Sequence, residues 1–213
     1  MKQILILLCG LTTTIHGAEM VVEGVVTLPA PKAASAQVRY QQPSGTVATP
    51  EPPAAIVYLE GDFPAAAAGT LANETVWQKG YQFSPALLAI RKGTTVIFSN
   101  VDDDYHHVFS YSKAKEFDLG RYRKDEAPPK VLFDKVGLIR VGCEIHDHMR
   151  SIILVLDTPH FTKTDPAGKY RLAIGAPLSG SYVIKAWISD KDIREQKIEL
   201  KAGAGLKLDF PLK

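Results

Sequence analysis

The segment Cys143-Glu144-Ile145-His146-Asp147-His148-Met149 gathers a thiol, two imidazoles and a thioether into one short stretch, and a second histidine pair, His106-His107, stands upstream. A thiolate, two imidazole nitrogens and a weak axial thioether are the donors of a trigonal His₂Cys copper centre with a long axial Met, which passes one electron at a time. The chemistry expected of this constellation is one-electron exchange at a bound copper ion. The plainer alternative is a metal-free protein, with a buried cysteine acting as a small hydrophobe and Met149 filling a gap in a core.

The start of the chain bears on that choice. Residues 1–18 read as a secretory leader: Lys2, the apolar run Ile4-Leu5-Ile6-Leu7-Leu8, the polar Thr12-Thr13-Thr14, then Gly17-Ala18. The apolar run is far shorter than the ~20 residues of a spanning helix. No later segment replaces it, so a periplasmic protein with no membrane span is expected. Cys9 follows Leu7-Leu8 where a lipidated cysteine would follow small residues, and it leaves with the leader. Cys143 is then the single thiol of the exported chain, in a compartment that oxidises unpaired thiols. Metal ligation would protect it. Without Lys2 the chain has 24 basic and 23 acidic residues, intermixed, which implies no nucleic acid or other polyanion as partner.

The elements that must position these residues read as strands. Val21, Val22, Val25, Val26 and Leu28 mark one, followed by a proline-interrupted stretch to Ala55; Ile56 to Glu60 marks another. Phe83 to Ile90 and Thr95 to Asn100 flank a Lys92-Gly93 turn as two more. In Gly137 to Cys143, period-two alternation puts Ile139, Val141 and Cys143 on one face, so the cysteine is expected to point inward. Ser151 to Leu156 is nearly all apolar, as in a strand covered on both faces. The charged stretch Lys113 to Lys130 is expected to be a solvated loop. From Phe161 the chain alternates again, through Tyr170, Leu172 and Ile174, through Tyr182 to Trp187, and through Leu206 to Phe210. The expected fold class is all-β, in two sandwiches.

Roughly Val76 to Asp157 resembles the cupredoxin family of plastocyanin, pseudoazurin and amicyanin. The family's aromatic, Pro, aliphatic alternation, Gly, strand, Asn and His appear as Phe83, Pro85, Leu88, Ile90, Gly93, Val96, Phe98, Asn100 and His106, followed by Cys143, His146 and Met149. The ligand loop is similar in length to amicyanin's, and the whole chain looks like exported proteins described as methylamine-utilisation or plastocyanin-like. The resemblance implies a Greek-key sandwich over 76–157 and one type 1 (blue) copper ion on His106, Cys143, His146 and Met149. His106 is chosen over His107 because the family's His-x-Val frame is met by His106-His107-Val108. The loop histidine, His146, would be the family's usual electron port. Three departures stand out: His107 replaces the Asn after the first ligand, Ile145 replaces the Pro before the second, and Val141 replaces an aromatic.

Thr164 to Tyr170 and Gly180-Ser181-Tyr182 resemble the carboxypeptidase regulatory-like, transthyretin-type sandwich, expected over 158–213. Gly24-Val25-Val26 and Ile56 to Leu59 fit that family's opening strands, which would make 19–62 part of it, with the copper unit inserted between. A placement of Ile56 to Glu60 in the copper unit's own sheet stays open beside this. The function these readings imply is electron carriage between periplasmic redox proteins, a cytochrome or a dehydrogenase, with no substrate transformed. The competing class is copper storage or delivery, or a copper-free binding module. Of the other polar features, His148 is expected at the surface near the site, Asp102-Asp103-Asp104 as a solvated turn, and His160 as structural. Ser110 and Ser112 lie in no hydrolase motif.

Overall fold

The computed structural model describes residues 20–30, 47–67, 69–175, 178–201 and 203–212. The leader read over residues 1–18 and the proline-interrupted stretch 31–46 lie outside the described residues. The described chain is all-β, with sixteen strands and no helix.

Nine strands build the two sheets around the candidate ligands. One sheet is formed by Glu74–Gln78 (β3), Phe83–Ser84 (β4), Thr94–Asn100 (β6) and Lys130–Phe133 (β9), in the order β4-β3-β6-β9. The other is formed by Leu87–Arg91 (β5), His106–Ser112 (β7), Lys115–Tyr122 (β8), Gly137–Cys143 (β10) and Arg150–Leu156 (β11), in the order β5-β11-β10-β7-β8. Alternation sets what each strand buries: Val96, Phe98 and Asn100 face inward from β6, and Ile139, Val141 and Cys143 from β10. All of these but Asn100 meet Ile90, Val108, Phe133 and Ile153 in one core.

The expected loop at Lys113 to Lys130 contains a strand. β8 pairs antiparallel with β7 at the sheet edge. It turns Phe117, Leu119 and Tyr122 to the core, while Glu116, Asp118 and Arg121 stay exposed. An edge strand with a solvated outer face carries that many charges without cost.

The other seven strands form a second pair of sheets. Met20–Val25 (β1) lies between Lys169–Ile174 (β13) and Leu206–Lys207 (β16). Ile56–Glu60 (β2) lies between Phe161–Lys163 (β12) and Gly180–Ser189 (β14), with Asp192–Leu200 (β15) outermost. β2 thus pairs with strands that follow the ligand sheets in sequence and shares no sheet with Cys143. Met20, Val22, Leu59, Leu172, Ile184 and Phe210 fill this second core.

A third cluster joins the two pairs of sheets. Leu154 and Leu156, on the outer face of β11, pack with Ile56 and Trp187 of the second unit. Burial of such side chains contributes about 1.5–3 kcal/mol each. The strand read as covered on both faces is β11, with Ile153 and Val155 toward one core and Leu154 and Leu156 toward the other.

Candidate metal centre

His106 opens β7 and Cys143 closes β10, and β7 and β10 are neighbours that pair Cys143 with Val108. The chain then turns through a short loop before β11. The Met149 N–H donates to the His146 carbonyl at 2.9 Å and the Cys143 N–H to the Met149 carbonyl at 3.4 Å, folding the loop back on its cysteine. The Glu144 N–H donates to the His107 carbonyl at 2.9 Å, which ties the loop to β7.

This arrangement brings three of the four expected ligands to a common point. His106 Nδ1 and His146 Nδ1 are 3.1 Å apart, and Cys143 Sγ lies 3.7 Å from the first and 3.6 Å from the second. His106, Cys143 and His146 form a group able to hold a metal ion, and all three are buried. Protein metal sites place nitrogens at ~2.0 Å and thiolates at ~2.3 Å from the ion. A point at those distances sees the two nitrogens under an angle of about 100° and each nitrogen–sulfur pair under about 115–120°, as in a distorted tetrahedral or trigonal site. The donors therefore fit one small ion. Met149 is fully buried in the same core as Cys143, on the loop's return into β11.

The polar surroundings match this donor set. Burial opposes charge on Cys143, yet His106, His146 and the backbone N–H groups of His107 and His146 hydrogen-bond its sulfur and hold the thiol down at about 5. The thiolate, the form that ligates, is thus stabilised before any ion arrives. Burial pushes His106 toward neutrality, but hydrogen bonds with Asp102 and Cys143 outweigh it and raise its pKa to about 9. His106 Nε2 donates to Asp102 Oδ2 at 2.9 Å, which leaves Nδ1 facing the sulfur. His146 Nε2 is buried with no hydrogen-bond partner.

Asp102 belongs to this site, although its run of three aspartates reads as a solvated turn. Its side chain is 11% exposed, and it accepts the Gly80 N–H at 2.6 Å and the Tyr81 N–H at 3.0 Å as well as the His106 ring. Gly80 and Tyr81 make this possible with φ of 60° and 57°, a conformation that aims successive N–H groups at one anion. Tyr81 is a non-glycine residue in that sparsely populated region, which proteins keep where a site requires it. Its ring stands edge-on to His146, centroids 5.1 Å apart, and to His106 at 6.0 Å. The single sequence signal for this hub is the glycine before Tyr81.

His107 lies outside the ligand group. Its Nε2 meets Asp118 Oδ1 at 2.5 Å and its Nδ1 faces Glu144 Oε2 at 3.6 Å. A histidine thus connects β7, β8 and the ligand loop where the resembled family has Asn. His148 is half-buried and its Nε2 donates to the Tyr81 carbonyl at 3.0 Å. His160 stands edge-on to Phe63, centroids 4.8 Å apart, away from the site.

Solved structures similar to part of this chain are cupredoxins. A Cu-containing nitrite reductase from Thermus scotoductus aligns over 45% of this chain with 27% identity and a TM-score of 0.38. The chain spans only 26% of that protein. A variant of amicyanin in its Cu(I) form aligns over 47% of this chain and 98% of its own, with 20% identity and a TM-score of 0.36. A purple cupredoxin from Nitrosopumilus maritimus aligns over 39% of this chain and 100% of its own, with 20% identity and a TM-score of 0.35. No protein-family model matches the chain, and no curated protein matches it.

Proposed function

We propose that His106, Cys143, His146 and Met149 hold one copper ion as a type 1 (blue) centre, and that the protein carries single electrons between periplasmic redox proteins such as a cytochrome or a dehydrogenase, without transforming a substrate. The observation that carries this reading is the buried triangle of Nδ1, Nδ1 and Sγ with 3.1–3.7 Å sides between two packed sheets. Copper bound there would supply a one-electron couple.

The protein's own groups would do the rest. Cys143 offers a thiolate already favoured by its hydrogen bonds. Asp102 orients the His106 ring so that Nδ1 points inward, as the outer partners of metal-bound histidines do. Met149 adds a weak thioether from the core side. A rigid sandwich restricts rearrangement between oxidation states, and the burial of all four side chains keeps water and competing ligands out. That burial favours slow exchange and so favours carriage over rapid delivery. In this reading residues 76–157 form the copper unit and residues 19–62 join 158–213 in the companion sandwich. Residues 1–18 direct export. No helix among the described residues is long and apolar enough to cross a membrane.

The test is optical. Purified protein loaded with Cu²⁺ should show the intense visible thiolate-to-copper band, and Cys143→Ser should remove it while the fold persists by circular dichroism. A colourless loaded protein whose Cys143 titrates freely with a thiol reagent would end the proposal.

A further inference from the structure

The outer face of the five-stranded sheet is only partly covered. The second unit packs on Leu87 and Ala89 of β5, on Ile152, Leu154 and Leu156 of β11 and on Leu138 of β10. Beyond them the same face opens into a groove of about 950 Å³ over the end of β10 and β7. Phe109 lies along the groove, and Tyr111 and Val136, 73% and 49% exposed, stand at it. Four cations line it, Lys113, Lys135, Arg140 and Arg150, and no Asp or Glu does. Among the described residues Arg140 alone of the four pairs with a carboxylate, that of Asp190. Apolar residues exposed together and rimmed by one sign of charge mark interaction surfaces.

The groove also reaches the backbone beside the cysteine. Gly142, next to Cys143, faces Phe109 across the ladder. A Cβ at Gly142 would come within 3.2 Å of Phe109 Cζ and 2.6 Å of Arg150 Nη1, so the glycine is what lets the ring lie against the backbone there. Phe109 in turn meets Tyr111, ring centroids 5.1 Å apart. The loop histidine offers no comparable opening: His146 is 2% exposed, with Tyr81 across its ring.

We propose that this groove docks the acidic face of a redox partner protein, carboxylates around an apolar centre, and that Phe109 and Tyr111 bridge that partner to Cys143. The proposal rests on the copper reading above. One electron passes along the path as the partner's redox centre gains or loses it; no bond is made or broken and no proton moves. Charge complementarity selects the occupant, because a groove lined by four cations and no anion attracts an acidic face and repels a basic one.

The experiment compares the full-length protein with a Lys113→Glu/Lys135→Glu variant, both sites being exposed. With copper bound, oxidation of the reduced protein by anionic hexacyanoferrate(III) at low salt should slow about tenfold in the variant and lose its salt dependence, since such steering changes rates by factors of ~10 or more. Oxidation by cationic tris(phenanthroline)cobalt(III) should quicken. Equal hexacyanoferrate rates in the two proteins would overturn the proposal. In the metal-free protein, a hexaglutamate peptide should shift the amide resonances of Tyr111, Lys113, Lys135 and Val136, and the variant should lose those shifts. Shifts confined to the separate groove beside Trp77 and Lys79 would overturn it equally. Failure of the copper reading would appear instead as a colourless loaded wild-type protein, with the peptide titration still answering for the groove.

Discussion

Asp102→Asn tests whether the carboxylate behind His106 belongs to the centre. The native carboxylate accepts three N–H groups, Gly80 at 2.6 Å on one oxygen and Tyr81 at 3.0 Å with His106 at 2.9 Å on the other. Asparagine keeps one oxygen. Turned one way, its amide nitrogen faces the Gly80 N–H; turned the other, it faces both Tyr81 and the His106 ring. At least one charge-assisted bond is lost and one donor orphaned, each worth ~1–3 kcal/mol, so the metal-free protein should lose about 2–6 kcal/mol of unfolding free energy. Loss of an outer partner of a ligating histidine should also weaken metal binding by ~10–100-fold. Urea unfolding of the metal-free protein reads the first quantity, and competition with a chromophoric copper chelator the second. Burial acts to raise the Asp102 pKa, but the bonds from His106, Tyr81 and Gly80 prevail and hold it below the ordinary 3.8. Its stabilising contribution is therefore full above that value and is lost as pH falls through the lower native one. A variant that unfolds at the wild-type urea midpoint and binds copper as tightly would refute this account of the site.

Cys143 of the metal-free protein should ionise near pH 5, followed by thiolate ultraviolet absorbance; a midpoint at an ordinary thiol value near 9 would contradict the contacts described. Its depressed pKa contributes stability that is full above about 9 and disappears as pH falls to about 5; His106, raised to about 9, contributes the opposite slope down to 6.5, so the metal-free protein should unfold more readily as pH falls from about 6.5 to 5. Trp187→Ala should cost about 3–5 kcal/mol, because the ring is 5% exposed and fills the cluster between the two pairs of sheets. Calorimetry checks it, and a loss below ~1 kcal/mol would mean that the contact contributes little. Gly80→Ala, at φ 60° with Ala48 Cβ 2.8 Å from the new methyl, should destabilise by about 1–3 kcal/mol and broaden the visible copper band as Asp102 loosens its hold on His106.

The sheets were legible in the sequence where one face is buried and the other wet. Alternation in Gly137 to Cys143 fixes the inward direction of Cys143, and the apolar run at Ile152 to Leu156 marks a strand between two cores. The same alternation runs through Phe117 and Leu119, but at a sheet edge the outward charges hide it, and a shift of register before Tyr122 breaks it. Ligand types and spacing singled out His106, Cys143, His146 and Met149, and the structure places the first three within reach of one point. Asp102 was illegible because its partners Gly80 and Tyr81 lie over twenty residues upstream and act through backbone N–H groups, which leave no side-chain signature. The groove at Phe109 and Tyr111 was hidden for a related reason: its cations come from separate turns and strands that only the fold assembles.

Tyr58 and Phe161 are direct neighbours across the β2–β12 ladder, although the chain between them makes the entire ligand-bearing sandwich. Joining two strands across about a hundred residues of loose chain costs several kcal/mol of entropy, whereas a folded body whose ends already lie side by side removes most of that cost. During synthesis β1 and β2 emerge first and wait longest for their mates. Pairing of β2 with β12 is therefore expected to follow assembly around Cys143, and a lesion in that body should leave β2 exposed and adhesive.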